Sequence, residues 1–378
     1  MSKLRLGLLF GGRSVEHEVS IQSARSILDA LNRDRYEVHL IAVDHEGRWQ
    51  ELPGPEIPTH VAHSGREVIL PPHADHSSAR KLLPAGPGDH PVTSSGQTKD
   101  DLVLDVVFPI VHGAGGEDGA LQGLLELAEI AYVGSGVLGS ALQMDKDVAK
   151  KLLNGAGLPV LPWVDLRRHD LEGPGLAQSV SKIEDEFGYP VFIKPANSGS
   201  SVGINKAARR EELMSALQEA LRFDDKLIVE RGIDAREIEV AVLGNESPEA
   251  SVAGEIVSSH GFYDYSAKYQ DDSTQLLIPA PLSDEQSRSI HDLALRAFRL
   301  LEAEGLARVD FLIDRQDDRP YINELNSLPG FTHGSMYPRL WEASGLAYPD
   351  LLDRLVELAM QRRERRSRLE RTYGEGSG

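Results

Sequence analysis

The fold is decided by the pattern in residues 308–338, RVDFLIDRQDDRPYINELNSLPGFTHGSMYP. Polar and apolar side chains alternate over 308–313, which predicts a half-buried strand with Val309, Phe311 and Ile313 on its buried face. The opposite face then carries Arg308, Asp310 and Leu312. A second strand is predicted over 321–326, with Ile322, Glu324 and Asn326 on one face. The residues between the two runs have the composition of a turn.

An antiparallel hairpin centred on Asp317 would place Asp310 opposite Glu324 and Arg308 opposite Asn326. Directly opposed side chains lie about 5 Å apart, and like charges in that position repel. One interpretation is an ion-pair ladder in which Arg308 offsets the two carboxylates. The other is a Mg²⁺ site, because Mg²⁺ prefers carboxylate and amide oxygens together with phosphates and water. The hairpin alone leaves both interpretations open.

Length and composition exclude several classes of protein. The chain has 378 residues, enough for two or three domains, and a formal net charge of −19, which argues against a nucleic-acid partner. It contains no cysteine, so disulfides and thiolate metal sites are excluded. The apolar run Leu6–Phe10 is too short for a signal peptide, and no run is long enough to span a membrane. A cytoplasmic protein without membrane insertion is therefore expected.

The first part of the chain predicts a parallel sheet. Strands are expected over 4–10 and 38–43, with a helix over 15–31 between them, and this is the start of a βαβ unit. The proline- and histidine-rich stretch 51–100 favours loops and short edge strands. A single buried strand is predicted over 102–111, followed by a helix over 120–129.

Residues 134–139, GSGVLG, match the G-x-G-x-x-G fingerprint of dinucleotide-binding proteins, after a short strand and before a helix. Asp165 stands near the distance at which an acidic partner for a ribose is expected. The alternative is a turn between domains that requires three glycines for its backbone conformation. The first interpretation would make the protein a nicotinamide-dependent oxidoreductase.

A strand over 191–195 carries Lys194 and leads into the Gly/Ser-rich loop 196–203. A lysine at the end of a strand before such a loop is typical of a phosphate cradle, in which backbone N–H groups and hydroxyls donate to the ligand. A flexible hairpin tip is the alternative. The sequence contains no Walker A motif.

Further strands are predicted over 226–230, 238–243 and 251–257, and a helix capped by Ser283 over 284–301. The polar segment 258–280 between them is predicted to be a mobile lid. The arginine-rich residues 361–371 are predicted to be a solvated helix end before a disordered tail. The chain therefore divides into three α/β modules, over residues 1–134, 135–230 and 231–378.

The chain resembles D-alanine–D-alanine ligases of the ATP-grasp superfamily. The stretches that carry the resemblance are GGRSVEHEVS (11–20), HGAGGEDG (112–119), YVGSGVLGSALQMDK (132–146), KPANSGSSVG (194–203), FYDYSAKYQDDSTQLLIPAP (262–281), ARVDFL (307–312) and YINELNSLPGFTHGSMYP (321–338). The resemblance implies an N-terminal Rossmann-like substrate-binding domain with a variable insert at 51–100. It also implies that ATP is held between a central and a C-terminal ATP-grasp domain. A dehydrogenase would give no joint role to Lys194, Asp310, Glu324 and Asn326.

The implied activity is ATP-dependent joining of two D-alanines through a D-alanyl phosphate, for peptidoglycan precursor synthesis. The resemblance also implies two Mg²⁺ ions that Mn²⁺ can replace, a monovalent cation such as K⁺, and a homodimer. A nucleotide-binding protein without catalytic activity is the third hypothesis for the whole chain, after the ligase and the oxidoreductase. Within the ligase hypothesis, D-lactate or D-serine could replace the second D-alanine. Phosphate release from ATP with D-alanine would separate these hypotheses.

The resemblance assigns roles to individual positions. The catalytic residues are Glu16, Ser200, Arg308 and Gly330. The residues that bind D-alanine are His112, Tyr269, Ser335 and Met336. The residues that bind ATP are Lys146, Lys194, Ser201, Glu230, Arg231, Ile233, Glu237, Lys268 and Asn323. The metal ligands are Asp310, Glu324 and Asn326. Arg231 and Ser327 stand where lysine and threonine are common in the family.

Overall fold

The computed structural model describes residues 3–58, 65–71, 81–85, 102–257 and 275–370. Within these residues the strands form three sheets that follow one another along the chain. This order confirms the predicted α/β class with a parallel sheet at the N-terminus. No helix in the described ranges combines the length and the apolar character that crossing a membrane requires.

The first sheet has eight strands in the spatial order β6-β5-β4-β3-β2-β1-β7-β8. Their bounds are β1 Leu4–Gly11, β2 Tyr36–Val43, β3 Trp49–Glu51, β4 Arg66–Ile69, β5 Lys81–Pro84, β6 Leu102–Val103, β7 Val106–Ile110 and β8 Ala131–Tyr132. Helix α1, His17–Ala30, follows β1, and α2, Ala120–Leu127, follows β7. Strands β1, β2, β7 and β8 are parallel, as predicted, and the insert adds short antiparallel strands beyond β2.

The prediction of one strand over 102–111 is wrong, because the chain changes partner at Asp105. Strand β6 pairs with β5 in antiparallel fashion, whereas β7 pairs with β1 in parallel. The Asp105 carboxylate accepts hydrogen bonds from the backbone N–H and the guanidinium of Arg5, at 2.8–3.0 Å. This contact holds Asp105 at the start of β1 and ends the first pairing there. Hydrophobicity alone does not reveal such a change of partner.

The second sheet has four strands in the order β11-β10-β12-β9, all neighbours antiparallel. The strands are β9 Trp163–Arg167, β10 Val191–Pro195, β11 Asn205–Ala207 and β12 Lys226–Arg231. The helices before and around it are α3 Val137–Met144, α4 Lys146–Gly155, α5 Pro174–Phe187 and α6 Arg210–Ala220, with a 3₁₀ helix over Arg168–Leu171. The strands predicted over 191–195 and 226–230 are confirmed.

The third sheet has the order β15-β14-β13-β16-β17. Its strands are β13 Ala235–Gly244, β14 Glu249–Val257, β15 Gln275–Leu277, β16 Gly305–Asp314 and β17 Pro320–Asn326. Helices α7 Asp284–Leu300, α8 Met336–Ala343 and α9 Tyr348–Ser367 complete this part. The predicted Ser283 cap is confirmed, since its side chain accepts the Gln286 N–H at 3.2 Å. The segment 258–280 is not wholly a loop, because β15 pairs with β14; residues 258–274 lie outside the described residues.

The hairpin of β16 and β17 has the predicted register at the end that carries the predicted site residues. Arg308 lies opposite Asn326 there, and Asp310 lies opposite Glu324. Beyond that point the register shifts by one, because Asn323 is an extra residue in a β-bulge. The bulge turns Ile322 into the core, so the prediction that it shares a face with Glu324 is wrong. Alternation on the partner strand is confirmed, with Val309, Phe311 and Ile313 buried in one core cluster.

The arginine-rich helix end is not fully solvated, because Arg362 on α9 is buried. Its guanidinium donates to the carbonyl oxygens of Tyr132, at 2.9 Å, and Gly134, and stacks 4.2 Å from the centre of the Tyr132 ring. Gly134 has a φ of +101°, and a Cβ on Gly139 would lie 2.1 Å from the Glu302 carbonyl oxygen. The glycines of the G-x-G-x-x-G match are therefore required by a tight turn that packs on the third sheet. This result favours the turn between domains over the dinucleotide-binding site.

Candidate active site

A cleft of about 690 Å³ lies between the second and third sheets. It gathers predicted site residues that are far apart in the sequence, from β10, the following loop, β12, β13, β16 and β17. These are Lys194, Ser201, Glu230, Arg231, Ile233, Glu237, Asp310, Asn323 and Glu324. Phe192 and Leu312 also line the cleft. Sequence reasoning missed these two, although each stands two residues from a predicted site residue on the same strand face.

Lys194 lies on the floor of this cleft between two partners. Its Nζ is 2.5 Å from Glu230 Oε2 and donates to Asn323 Oδ1 at 3.0 Å. The other carboxylate oxygen of Glu230 lies 2.7 Å from Lys150 Nζ. Burial opposes ionisation of Glu230, but the two ammonium groups outweigh it and lower its pKa to about 2. The Glu230 carboxylate is thus committed to two lysines, and only its backbone could meet a nucleotide base.

Lys146 begins α4 and lies next to the cleft, beside the cleft residue Glu324. Its Nζ donates to the Ser198 carbonyl oxygen at 2.7 Å and lies 3.4 Å from Glu324 Oε2. The helix start is fixed by Asp145, whose side chain accepts two backbone N–H groups of the first turn. Lys226 holds Asp145 in turn, with its Nζ 2.8 Å from Oδ1. Lys194 on a strand therefore lines the cleft, and Lys146 on a helix adds a second positive charge at its edge, beside Glu324.

A row of three carboxylates crosses the third sheet. Glu239 on β13 is opposite Asp310 on β16, which is opposite Glu324 on β17. The Arg308 guanidinium binds Asp310 through two contacts of 2.7 Å and lies 3.0 Å from Glu239 Oε2. Asn326 Nδ2 donates to Asp310 Oδ2 at 2.9 Å. Sequence reasoning missed Glu239, because β13 and β16 are neighbours only in the folded sheet.

The donor set of this row suits a hard divalent cation. Asp310, Glu324 and Asn326 supply carboxylate and amide oxygens on the face of the sheet that forms the cleft wall. Arg308 neutralises part of the negative charge, so the ion-pair ladder that the sequence suggested is present. The two arrangements are compatible, since each carboxylate has further lone pairs for a cation.

The Gly/Ser-rich loop after β10 touches the N-terminal module. Ser200 and Ser201 have φ values of +46° and +59°, in the left-handed region that side chains rarely adopt. Ser200 Oγ donates to Glu16 Oε1. A Cβ on Gly199 would lie 2.5 Å from Glu16 Oε2, so a larger residue there would displace the Glu16 carboxylate. Strained backbone at a loop that faces a cleft is characteristic of functional sites.

Glu16 precedes α1 and is buried, at 7% exposure. Its Oε2 has no hydrogen-bond partner among the described residues. An unpaired, buried carboxylate oxygen is costly unless a ligand completes it. Glu16 could therefore accept a cationic group such as a substrate ammonium.

His112 lies near Glu16, and its ring nitrogens contact two other segments of the chain. Its Nδ1 is 3.0 Å from the Leu328 carbonyl oxygen, and its Nε2 is 3.5 Å from Ser23 Oγ, which accepts the Phe331 N–H. Burial lowers the pKa of His112, although the Glu16 carboxylate acts in the opposite direction. A neutral ring that donates from Nδ1 fits these contacts, and it ties β7 to the loop after β17.

Glu117 is a site residue that sequence reasoning did not single out, although it lies within one of the quoted stretches. Its carboxylate accepts the Gly113 N–H at 2.7 Å and the Leu328 N–H at 3.0 Å. Desolvation and the charge of Glu16 raise the pKa of Glu117 to about 8. Glu117 thus joins the loop after β7 to the loop after β17, beside the Glu16 carboxylate.

The loop after β17 also places the last three predicted residues. A Cβ on Gly330 would lie 2.9 Å from Ser335 Oγ, so the two residues are adjacent. Ser335 Oγ accepts the Thr332 N–H at 3.1 Å. The Met336 side chain is buried, and a Cβ on Gly254 would lie 2.9 Å from its sulfur, so only the Met336 backbone could meet a ligand. Lys268 and Tyr269 lie outside the described residues.

Comparisons with known proteins agree with this geometry. A family profile described as D-ala D-ala ligase N-terminus matches residues 5–135, and one described as D-ala D-ala ligase C-terminus matches residues 152–357. D-alanine–D-alanine ligase A of Chromobacterium violaceum is 48% identical over 371 residues, which is 96% of each chain. D-alanine–D-alanine ligase of Shouchella clausii is 46% identical over 98% of each chain.

Two solved structures are similar over nearly the whole chain. The D-alanine–D-alanine ligase of Coxiella burnetii superposes with a TM-score of 0.80 at 37% identity, covering 97% of each chain. The VanG D-Ala:D-Ser ligase of Enterococcus faecalis superposes with a TM-score of 0.81 at 33% identity. This second match covers 95% of this chain and 100% of the other.

Proposed function

Since the chain belongs to the D-alanine–D-alanine ligase family, with an ATP-grasp fold, we propose that it joins two D-alanines at the expense of ATP for peptidoglycan precursor synthesis. The observation that carries the proposal is the cleft in which Lys194, Asn323 and the Asp310–Glu324 row meet. In this proposal, a polyphosphate binds in the cleft and an amino acid binds next to it. The reaction needs both.

ATP would lie in the cleft between the second and third sheets. Phe192 and Leu312, which line the cleft, would offer apolar surface for the base, Arg231 and Ile233 would contact it, and Glu237 would accept a ribose hydroxyl. Lys146 and Lys194 would bind the phosphates, together with Ser201 and Asn323. Their charges offset the repulsion that arises when a carboxylate attacks the γ-phosphate. Lys268 is proposed to add a contact from the segment outside the described residues.

We propose Mg²⁺ as the resident cation at Asp310, Glu324 and Asn326, with two ions and with Mn²⁺ as a substitute. When bound, Mg²⁺ neutralises phosphate charge and aligns the transferred group. The carboxylate row on rigid strands keeps these oxygen donors at fixed spacing. A requirement for a monovalent cation such as K⁺ is proposed from the family resemblance.

The first D-alanine would bind through its ammonium group to the unpaired Oε2 of Glu16. His112, held neutral by burial, packs beside it and orients the loop after β17. The substrate carboxylate then faces the γ-phosphate, and its attack gives D-alanyl phosphate and ADP. An acyl phosphate hydrolyses readily in water, so the contact between Ser200 and Glu16 would help to close the site.

The second D-alanine would attack the acyl phosphate with its free amine and release phosphate. Negative charge develops on the carbonyl oxygen during this attack, and Arg308 with the Gly330 N–H would stabilise it. Ser335 and the backbone N–H of Met336 would bind the carboxylate of this second substrate. Tyr269 is proposed to complete this pocket. A cytoplasmic homodimer is proposed for the protein as a whole.

The test is a product assay. Purified protein with ATP, Mg²⁺ and D-alanine should release one phosphate per D-Ala-D-Ala, identified by mass. Parallel reactions with D-lactate or D-serine in competition with D-alanine would test the choice of second substrate. Phosphate release without a dipeptide would contradict the proposal, and so would dipeptide formation without ATP.

A further inference from the structure

Lys150 is a buried lysine of α4 to which the family resemblance assigns no role. It lies four residues after Lys146, so the two side chains project from the same helix face. Its side chain is 2% exposed, and its Nζ lies 2.7 Å from Glu230 Oε1 and 5.3 Å from the centre of the Trp163 ring. Burying a lysine to this extent is costly without an ionic partner. The position therefore requires an explanation.

Glu230 divides its carboxylate between two lysines. Lys150 lies at Oε1, and Lys194 lies at Oε2 and also donates to Asn323 in the cleft. Of the three charged residues, Glu230 and Lys194 line the cleft, and Lys150 lies behind them. Glu230 therefore cannot hold Lys194 with both of its oxygens, and the positive charge on Lys194 remains for an anionic ligand. Only Lys194 can deliver that charge directly to the cleft.

We propose that Lys150 is a positioning residue for the ATP phosphates, a role that rests on the ATP site proposed above. By holding one oxygen of Glu230, Lys150 limits the attraction between Glu230 and Lys194. Lys194 then keeps its ammonium group between Glu230 and Asn323, where phosphates can reach it. Without Lys150, the full carboxylate charge would draw Lys194 away from the phosphates and cancel its positive charge.

The neighbouring Lys151 provides a matched control on the same helix. Its side chain is 53% exposed, pairs with Asp147 at 2.8 Å and with Asp165 at 3.5 Å, and is not among the residues that line the cleft. Asp147 is buried, but it keeps Lys226 Nζ at 2.7 Å and the Trp163 Nε1–H donor at 3.0 Å when Lys151 is replaced. Lys150→Met and Lys151→Met therefore remove the same group from adjacent positions, and only the first touches the Glu230 carboxylate.

The experiment measures binding of ATP and of AMP by calorimetry, so that it does not depend on ligase activity. Lys150→Met should weaken ATP binding by about tenfold or more, because it disturbs a buried charge pair, and leave AMP binding within about twofold. Lys151→Met should leave both unchanged. In steady-state assays of Lys150→Met, the KM for ATP should rise in parallel with the loss of ATP binding. The KM for D-alanine should stay near the wild-type value.

A double substitution tests whether Lys150 acts through Glu230. In a Glu230→Gln background, Lys150→Met should add little further loss of ATP binding, because the carboxylate it restrains is gone. This double variant also removes both buried charges together, which protects the fold. Equal loss of ATP and AMP binding in Lys150→Met would overturn the proposal in favour of a packing role. Unchanged ATP binding in Lys150→Met would also overturn it. So would a double variant in which the losses from Lys150→Met and Glu230→Gln add. If wild type itself failed to bind ATP, the proposed function would fail first.

Discussion

The two halves of the candidate active site are built in different ways. The half proposed to bind ATP rests on strands, with Glu239, Asp310 and Glu324 in one row across three neighbouring strands. The half proposed to bind D-alanine is assembled from loops, and its contacts join residues far apart in sequence, 184 positions for Ser200 with Glu16 and 216 for His112 with Leu328. Strand pairing fixes charges by register, whereas the loops depend on individual hydrogen bonds. Substitutions in the two halves should therefore differ in what they change.

The largest effect is expected in the strand-borne row. Asp310→Asn or Glu324→Gln removes a charge that faces the phosphates, and we expect turnover to fall by about 10²-fold or more with the fold retained. The measurement is kcat from phosphate release, with circular dichroism for the fold. Asp317→Asn, in the exposed turn of the same hairpin, is the control and should be near wild type. Near-normal turnover in both site variants would remove the row from the chemistry.

In the loop-built half, a substitution should change substrate binding instead. Glu16→Gln removes the carboxylate charge proposed to hold the first ammonium, and we expect the KM for D-alanine to rise by about tenfold or more. The KM for ATP should change much less, because Glu16 does not line the ATP cleft. Glu18→Gln, exposed in the same first turn of α1, serves as the control. A rise in both constants by the same factor would mean that the two halves act as one unit.

Stability of the loop-built half should depend on pH through Glu117. Its pKa is raised to about 8, so the folded state binds this proton more tightly than the unfolded state. The resulting stability is fully present below the ordinary pKa of a glutamic acid and is lost as the pH rises through about 8. Relative to Glu117→Gln, the Tm of wild type should therefore fall between pH 5 and pH 8, by on the order of 2 °C. A constant Tm difference across this range would show that Glu117 has an ordinary pKa.

The smallest effect on activity is expected at Arg362, outside both halves. Arg362→Met leaves the carbonyl oxygens of Tyr132 and Gly134 without their buried donor, which should cost about 2 kcal/mol of unfolding free energy. Both KM values should stay near wild type. Arg368→Met, on the exposed end of the same helix region, should leave denaturant stability unchanged. If Arg362→Met altered the KM for ATP, the turn at 134–139 would have to communicate with the cleft.

The contrast between the halves also decides what could be predicted. The hairpin register at Asp310 and Glu324 followed from alternation and turn composition, because both strands are adjacent in sequence. The Asn323 bulge did not follow, since an extra residue in a ladder leaves no mark on hydrophobic alternation. Hydrophobic alternation also gave no sign that the predicted strand over 102–111 divides at Asp105. There the Arg5 N–H of β1 binds the Asp105 side chain, and the pairing of β6 with β5 ends.

The sequence by itself determined the α/β class, most strand and helix positions and the family, because periodicity and ordered motifs are local properties of the chain. Only the tertiary structure decided which charges meet. Glu239 joined the carboxylate row, Glu117 joined two loops, and Lys150 divided the Glu230 carboxylate with Lys194. These contacts form between segments that become neighbours only when three sheets pack together, and the pKa values of their groups depend on that burial.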